Sequence, residues 1–180
     1  MTEIIFLKLG GSVITDKTVP YSPRPDNLKR LAREIHSALA RQPSLRLVLG
    51  HGSGSFGHYA AREALAPHPY PPPPGAGPQA TQAFWRGFAE VWYRASQLDR
   101  YVLEALHEAG LPAVAFAPSA MATARDGAIL EWDTGPIQKA LEAGLLPVIY
   151  GAVAFDMDPR GPIVAPPMFM FRHAVGLHPR

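Results

Sequence analysis

There is no cysteine in the 180 residues. That removes disulfides, thiolate catalysis and cysteine-based zinc sites together, and it fits a cytoplasmic protein. No uninterrupted apolar run approaches the length of a membrane span. The opening "MTEIIFLKLGGS" is too short and too quickly polar for a signal peptide. No long Lys/Arg run is present, and the formal net charge is only +2, so nucleic acid is not an expected partner. No G-x-x-x-x-G-K-[ST] occurs, which excludes a P-loop. What remains is an ordinary globular composition, 47% hydrophobic and 18% charged, long enough for one domain with a core.

Punctuation organises the chain. "IIFLKL" (4–9) reads as a buried strand running into Gly10-Gly11, and "LRLVL" (45–49) as a second. Leu28, Leu31, Ile35 and Leu39 recur at helical spacing over 26–40, with Asp26 as the expected N-cap. Proline-rich "PHPYPPPPGAGP" (67–78) fits neither helix nor central strand. It is a stiff surface loop, a connector in the simpler reading and a lid in the other. Residues 80–109 form the longest helix, with Phe84, Phe88, Val91, Ala95, Leu98, Val102 and Leu106 on one stripe.

"EAGLPAVAF" ends that helix at Gly110 and starts a strand after Pro112; "EAGLLPVIY" repeats the device at Gly144 and Pro147. Between them "TARDGAILEW" (123–132) predicts a hairpin around Asp126-Gly127, and 134–143 a helix. Strands alternating with helices predict an α/β fold with a mostly parallel sheet, whose ligands sit beyond the strands' C-terminal ends.

Two glycine turns fall there. In "GHGSGSFGH", Gly52, Gly54 and Gly57 spell G-x-G-x-x-G after a strand. A dinucleotide site would also need an acidic residue about twenty positions on. That region is the proline loop, and the nearest acid beyond it, Glu90, lies inside a helix. A phosphate cradle fits better, because "KLGGS" (8–12) supplies a second turn after strand 1. Backbone N–H groups in such turns bind anionic oxygens, and glycine lets them approach. Lys8 adds a cation. Plain tight turns are the alternative for each motif alone. His51, directly after a buried strand, is read as satisfying backbone carbonyls. His58 sits at the start of a helix, where it could donate to an anion. No acidic cluster accompanies the pair, so no metal site is expected.

"FLKLGGSVITDK", "GHGSGSFGH", "RGFAEVWYRASQLDRYVLEALHEAGLP" and "LLPVIYGAVAFD" resemble isopentenyl phosphate kinases of the amino acid kinase superfamily. The resemblance runs from Ile4 to about Asp156 and implies a three-layer αβα sandwich and a homodimer. It implies transfer of the ATP γ-phosphate to isopentenyl phosphate, with Mg²⁺, in isoprenoid biosynthesis. By motif, Lys8, Leu9, Gly10, Gly11, Ser12 and Gly54 would bind ATP. Ser53, His58 and Gly151 would bind a prenyl phosphate substrate. Lys8, Lys17 and His58 would be the catalytic groups, and the helix around Phe84 and Phe88 would flank the prenyl tail. Ser53 stands where the family usually has glycine, and Ala152 where it usually has aspartate. The resemblance makes 1–180 a single domain matching the acceptor part of the fold, with 157–180 a divergent tail and the C-terminal nucleotide lobe lacking. It therefore leaves open two other functions. One is a truncated, catalytically incompetent substrate-binding half; the other is a related kinase of another small acidic or phosphonate acceptor.

Overall fold

A computed structural model describes residues 4–157 and the backbone of 163–165. Except for Met157 and that short backbone stretch, the expected tail 157–180 lies outside the described residues.

The chain runs β1 (Ile4–Leu9), α1 (Gly11–Ile14), α2 (Pro25–Arg41), β2 (Arg46–His51), α3 (Gly54–Ala60), a π-helical turn (Ala61–Leu65) and α4 (Pro78–Glu108). It continues through β3 (Ala113–Phe116), α5 (Pro118–Met121), β4 (Ala122–Arg125), β5 (Ala128–Trp132), α6 (Gly135–Glu142), β6 (Leu146–Tyr150), β7 (Ala152–Asp156) and β8 (Ile163–Ala165). One sheet has the order β1-β2-β6-β3, all parallel. A second, mixed sheet has the order β5-β4-β7-β8.

The hydrophobic pattern explains the layers. Successive strand residues face opposite sides. Leu47 and Leu49 of β2 join Leu28, Ala32 and Ile35 of α2 and Leu98, Val102 and Leu106 of α4. Val48, between them, joins Ile137 and Leu141 of α6 on the other face. Helices thus cover both faces of the parallel sheet, giving the expected αβα sandwich. All seven stripe residues of α4 are buried, and each large apolar side chain so buried contributes about 1.5–3 kcal/mol.

Helix ends follow local chemistry. After α4 the Gly110 N–H donates to the His107 carbonyl and the Leu111 N–H to that of Leu106. After α6 the Gly144 N–H donates to Leu141 and the Leu145 N–H to Ala140. Both are Schellman caps, with Gly110 at φ +82 and Gly144 at φ +75. Asp126 (φ 54) and Gly127 (φ 75) make the expected hairpin turn.

Four expectations need correction. Asp26 lies in the first turn of α2; Arg24 is the N-cap, because Pro25, lacking an N–H, takes the first helical position. Pro147 does not precede β6 but is its second residue. The Leu146 N–H turns toward the Pro112 carbonyl, so the N–H that Pro147 lacks would face β2, whose ladder begins only at Val148. β1 is not fully buried: Ile5 and Leu7 are each 38% exposed. It forms one end of its sheet, as β3 forms the other. His58 lies in the last turn of α3, not at a helix start. The helix begins four residues earlier, where the Gly57 N–H bonds the Ser53 carbonyl at 3.0 Å.

Candidate phosphate-binding site

β1 and β2 pair in parallel with Lys8 opposite Gly50 and Leu9 opposite His51. The two glycine turns therefore leave the same sheet edge side by side. They also touch. A Cβ on Gly11 would stand 2.9 Å from the Gly54 Cα and 3.2 Å from its nitrogen. Gly54 adopts φ +51, and a Cβ there would meet Thr15 Oγ1 at 2.5 Å, so only glycine fits. Thr15 ties the turns together: its hydroxyl donates to the Gly11 carbonyl at 2.6 Å and accepts the Ser55 N–H at 3.0 Å.

Ser53 has φ −69 and ψ −5, ordinary right-handed backbone, so serine is unstrained at the position where the resembling family usually has glycine. Its side chain packs against Gly57, where a Cβ would overlap Ser53 Oγ. Ala152 is buried in β7.

Lys17 sits on a strap between α1 and α2. Asp16 N–H bonds the Ser22 carbonyl at 3.0 Å and Arg24 N–H the Ile14 carbonyl at 2.8 Å, closing the strap like a hairpin. Asp16 accepts from the Thr18 N–H and hydroxyl at 2.9 and 2.6 Å. The Thr18 bonds, then the Arg24 charge, hold its carboxyl below the usual range. Tyr59 of α3 donates to the Thr18 carbonyl at 3.2 Å, and the Ser22 N–H bonds Ser55 Oγ at 3.2 Å. Tyr21, at φ 52, packs edge-on against Phe56 at 5.9 Å. The strap is thus laid onto α3.

That docking brings Lys17 and His58 together. With Ser55, Tyr59 and Arg62 they line a cavity of about 300 Å³. The Arg62 guanidinium lies over the Tyr59 ring at 4.5 Å. Lys8, Leu9, Gly10, Gly11 and Ser12 stand at the neighbouring turn, not in this lining. Gly151 is buried at the same sheet edge, its N–H donating to the His51 carbonyl at 2.8 Å.

Sequence reasoning missed Tyr59, Arg62 and Asp99. His51 Nδ1 donates to the Gly52 carbonyl at 3.1 Å, as expected of a residue satisfying backbone. Its Nε2 faces Asp99 Oδ1 of α4, also at 3.1 Å. Behind α3, Phe84 and Phe88 are buried, and their rings meet Tyr70, Trp85 and Phe155. Tyr70, from the proline loop, stacks on Phe84 at 4.7 Å. Among the described residues no group of three or more His, Asp or Glu gathers to hold a metal.

The sequence and the fold are shared with known proteins. The amino acid kinase family profile matches residues 3–164. The chain belongs to the amino acid kinase family. It is 34% identical over 157 residues to the isopentenyl phosphate kinase of Methanocaldococcus jannaschii, covering 85% of this chain and 57% of that protein. It is 40% identical over 162 residues to that of Methanothermobacter thermautotrophicus, covering 87% and 56%. A solved isopentenyl phosphate kinase superposes with TM-score 0.85 at 35% identity, over 99% of this chain and 69% of the other. The chain thus spans a little over half the length of the curated family members it matches.

Proposed function

We propose that this chain binds the phosphate of a small prenyl phosphate and forms the acceptor part of an ATP-dependent isopentenyl phosphate kinase. The observation that carries the reading is the contact between the two glycine turns, with the Lys17–His58–Arg62 cavity beside it. Phosphoryl transfer asks for positioning and charge neutralisation more than for covalent chemistry. The Gly10–Ser12 turn offers backbone N–H groups at the strand end, and Lys8 a cation. The Ser53–Gly54 turn faces it at contact distance. His58 and Lys17 would hold the acceptor phosphate from the cavity side, with Gly151 closing the sheet edge. Phe88 and Trp85 behind α3 share a cluster with Ala60 and Ala61, the residues between Tyr59 and Arg62 of the cavity lining, and this apolar cluster would flank the hydrocarbon tail of the substrate.

ATP would supply the phosphoryl group and Mg²⁺ would neutralise its charge. The donors at the turns fit phosphate oxygens. Because no carboxylate cluster is present among the described residues, Mg²⁺ would come carried on those oxygens rather than on a protein cage. In this reading residues 1–180 are one domain, the assembly is a homodimer and the location is cytoplasmic. No helix among the described residues is long and apolar enough to cross a membrane.

Calorimetric titration with isopentenyl phosphate, paired with a coupled ADP-release assay, tests the proposal. Saturable binding is expected; none at millimolar ligand would sink the substrate assignment. A second outcome is binding without turnover, as expected of a substrate-binding half. The ADP assay separates the two. A third reading, a related kinase of a different phosphonate or acidic acceptor, is separated by a substrate panel.

A further inference from the structure

The His51–Asp99 pair lies beneath the glycine turn, and the role proposed above does not use it. His51 is 0% and Asp99 5% exposed. Tyr150 of β6 stacks on the imidazole at 6.0 Å and 16°, and the His51 backbone carbonyl is held by the Gly151 N–H at 2.8 Å. The ring is therefore fixed by α4, by β6 and through its own backbone. Buried polar groups this well partnered fix one geometry.

We infer that His51 is a positioning residue for the phosphate cradle, and that Asp99 acts through it. The inference rests on the phosphate-binding reading. A carbonyl can only accept, so the Nδ1 facing Gly52 carries a proton. The Gly52 C=O is thereby turned in toward the buried ring. In a trans peptide the C=O and the following N–H point in opposite directions. The Ser53 N–H is thus aimed away from the ring, toward the side where the proposed cradle would hold an anion. Asp99 sets the ring's orientation: one proton lies between Nε2 and Oδ1, so Nδ1 stays committed to Gly52. Without that lock the Gly52–Ser53 peptide could rotate, presenting a carbonyl oxygen where the cradle needs a donor.

The decisive variant is the double replacement His51→Phe with Asp99→Leu. It keeps a ring under Tyr150 and leaves no buried charge unpaired. Replacing both partners of a buried polar pair by apolar groups is nearly neutral or stabilising. The Gly52 carbonyl, which loses its Nδ1 donor, belongs to a half-buried residue that can turn to water, so the urea midpoint should stay near that of wild type. Inorganic phosphate and isopentenyl phosphate should nevertheless bind about tenfold more weakly, the loss expected for a misplaced charge-assisted donor. Asp99→Asn, whose amide can donate to Nε2, should keep wild-type affinity. Equal phosphate affinity in wild type and double variant overturns the role of His51. Long-range ¹⁵N spectra of the unaltered chain give a second reading: Nδ1 should be protonated, and an unprotonated Nδ1 overturns the inference whatever the variants do. The failures are distinguishable. Wild type that binds phosphate but not isopentenyl phosphate counts against the substrate reading alone, whereas wild type that binds neither overturns both.

Discussion

Gly11 and Gly54 meet backbone to backbone: a Cβ on Gly11 would stand 2.9 Å from the Gly54 Cα. Neither side can yield by rotating a side chain. Gly11→Ala should therefore push the two turns apart and cost about 1–3 kcal/mol, as overpacking does. Gly54→Ala should cost more, because it adds a left-handed φ of +51 to a contact with Thr15. Urea denaturation of the two variants measures both. Equal midpoints for Gly11→Ala and wild type would show that the turns are not in contact.

Thr15 supplies the polar half of the same junction. Thr15→Val keeps the shape but leaves the Ser55 N–H without the bond it makes to the hydroxyl at 3.0 Å, whereas the Gly11 carbonyl keeps its bond from the Thr15 N–H at 2.9 Å. A buried donor left unpaired costs about 1–3 kcal/mol. The urea midpoint should fall while Thr15→Ser, which keeps the hydroxyl, holds most of the stability. If serine and valine are equally damaging, the methyl rather than the hydroxyl matters.

Much of this architecture was legible because it is written locally. The α4 stripe, the twin caps at Gly110 and Gly144 and the Asp126-Gly127 turn each depend on residues a few positions apart. The two glycine turns could be placed at one edge because strand-turn-helix order fixes where parallel strands end. What escaped was non-local. Asp99 lies 48 residues from His51, on a helix whose pattern explained its apolar neighbours and gave no reason to notice one acid. Tyr59 and Arg62 carry no motif of their own in the sequence; they join Lys17 and His58 only because the strap folds onto α3. The edge position of β1 was hidden too, since "IIFLKL" has the composition of a strand buried on both faces.

Tyr150 offers a pH test of the buried cluster. Burial first, and then the charge of Asp99, push its phenol from the ordinary 10.0 up to about 12. The folded chain holds that proton more tightly than the unfolded chain does. The resulting stability is complete below pH 10.0 and is lost as pH rises toward about 12. Tyr150→Phe should flatten that alkaline decline, read as the difference in urea midpoint between variant and wild type from pH 9 upward. An unchanged slope would mean that the phenol is not confined beside Asp99.

The basic cavity makes the sharpest functional prediction. His58, Lys17 and Arg62 line one space, and the carboxylate paired with Arg62 among the described residues, Glu63 at 3.6 Å, is more than half exposed. Exposed pairs of this kind are worth little, so the guanidinium is free to serve an anion. His58→Ala should weaken isopentenyl phosphate binding by about tenfold or more, the loss of one hydrogen bond to a charged group, and ATP binding less. Arg62→Ala should weaken it too and should also reduce its dependence on salt, because charges this accessible are screened over about 8 Å at physiological ionic strength. Tyr59→Phe acts differently. It removes the bond to the Thr18 carbonyl at 3.2 Å and loosens the Lys17 strap without removing a charge, so affinity should fall while the salt dependence stays. If His58→Ala instead impairs ATP binding more than prenyl phosphate binding, the cavity belongs to the nucleotide, and the acceptor must enter elsewhere.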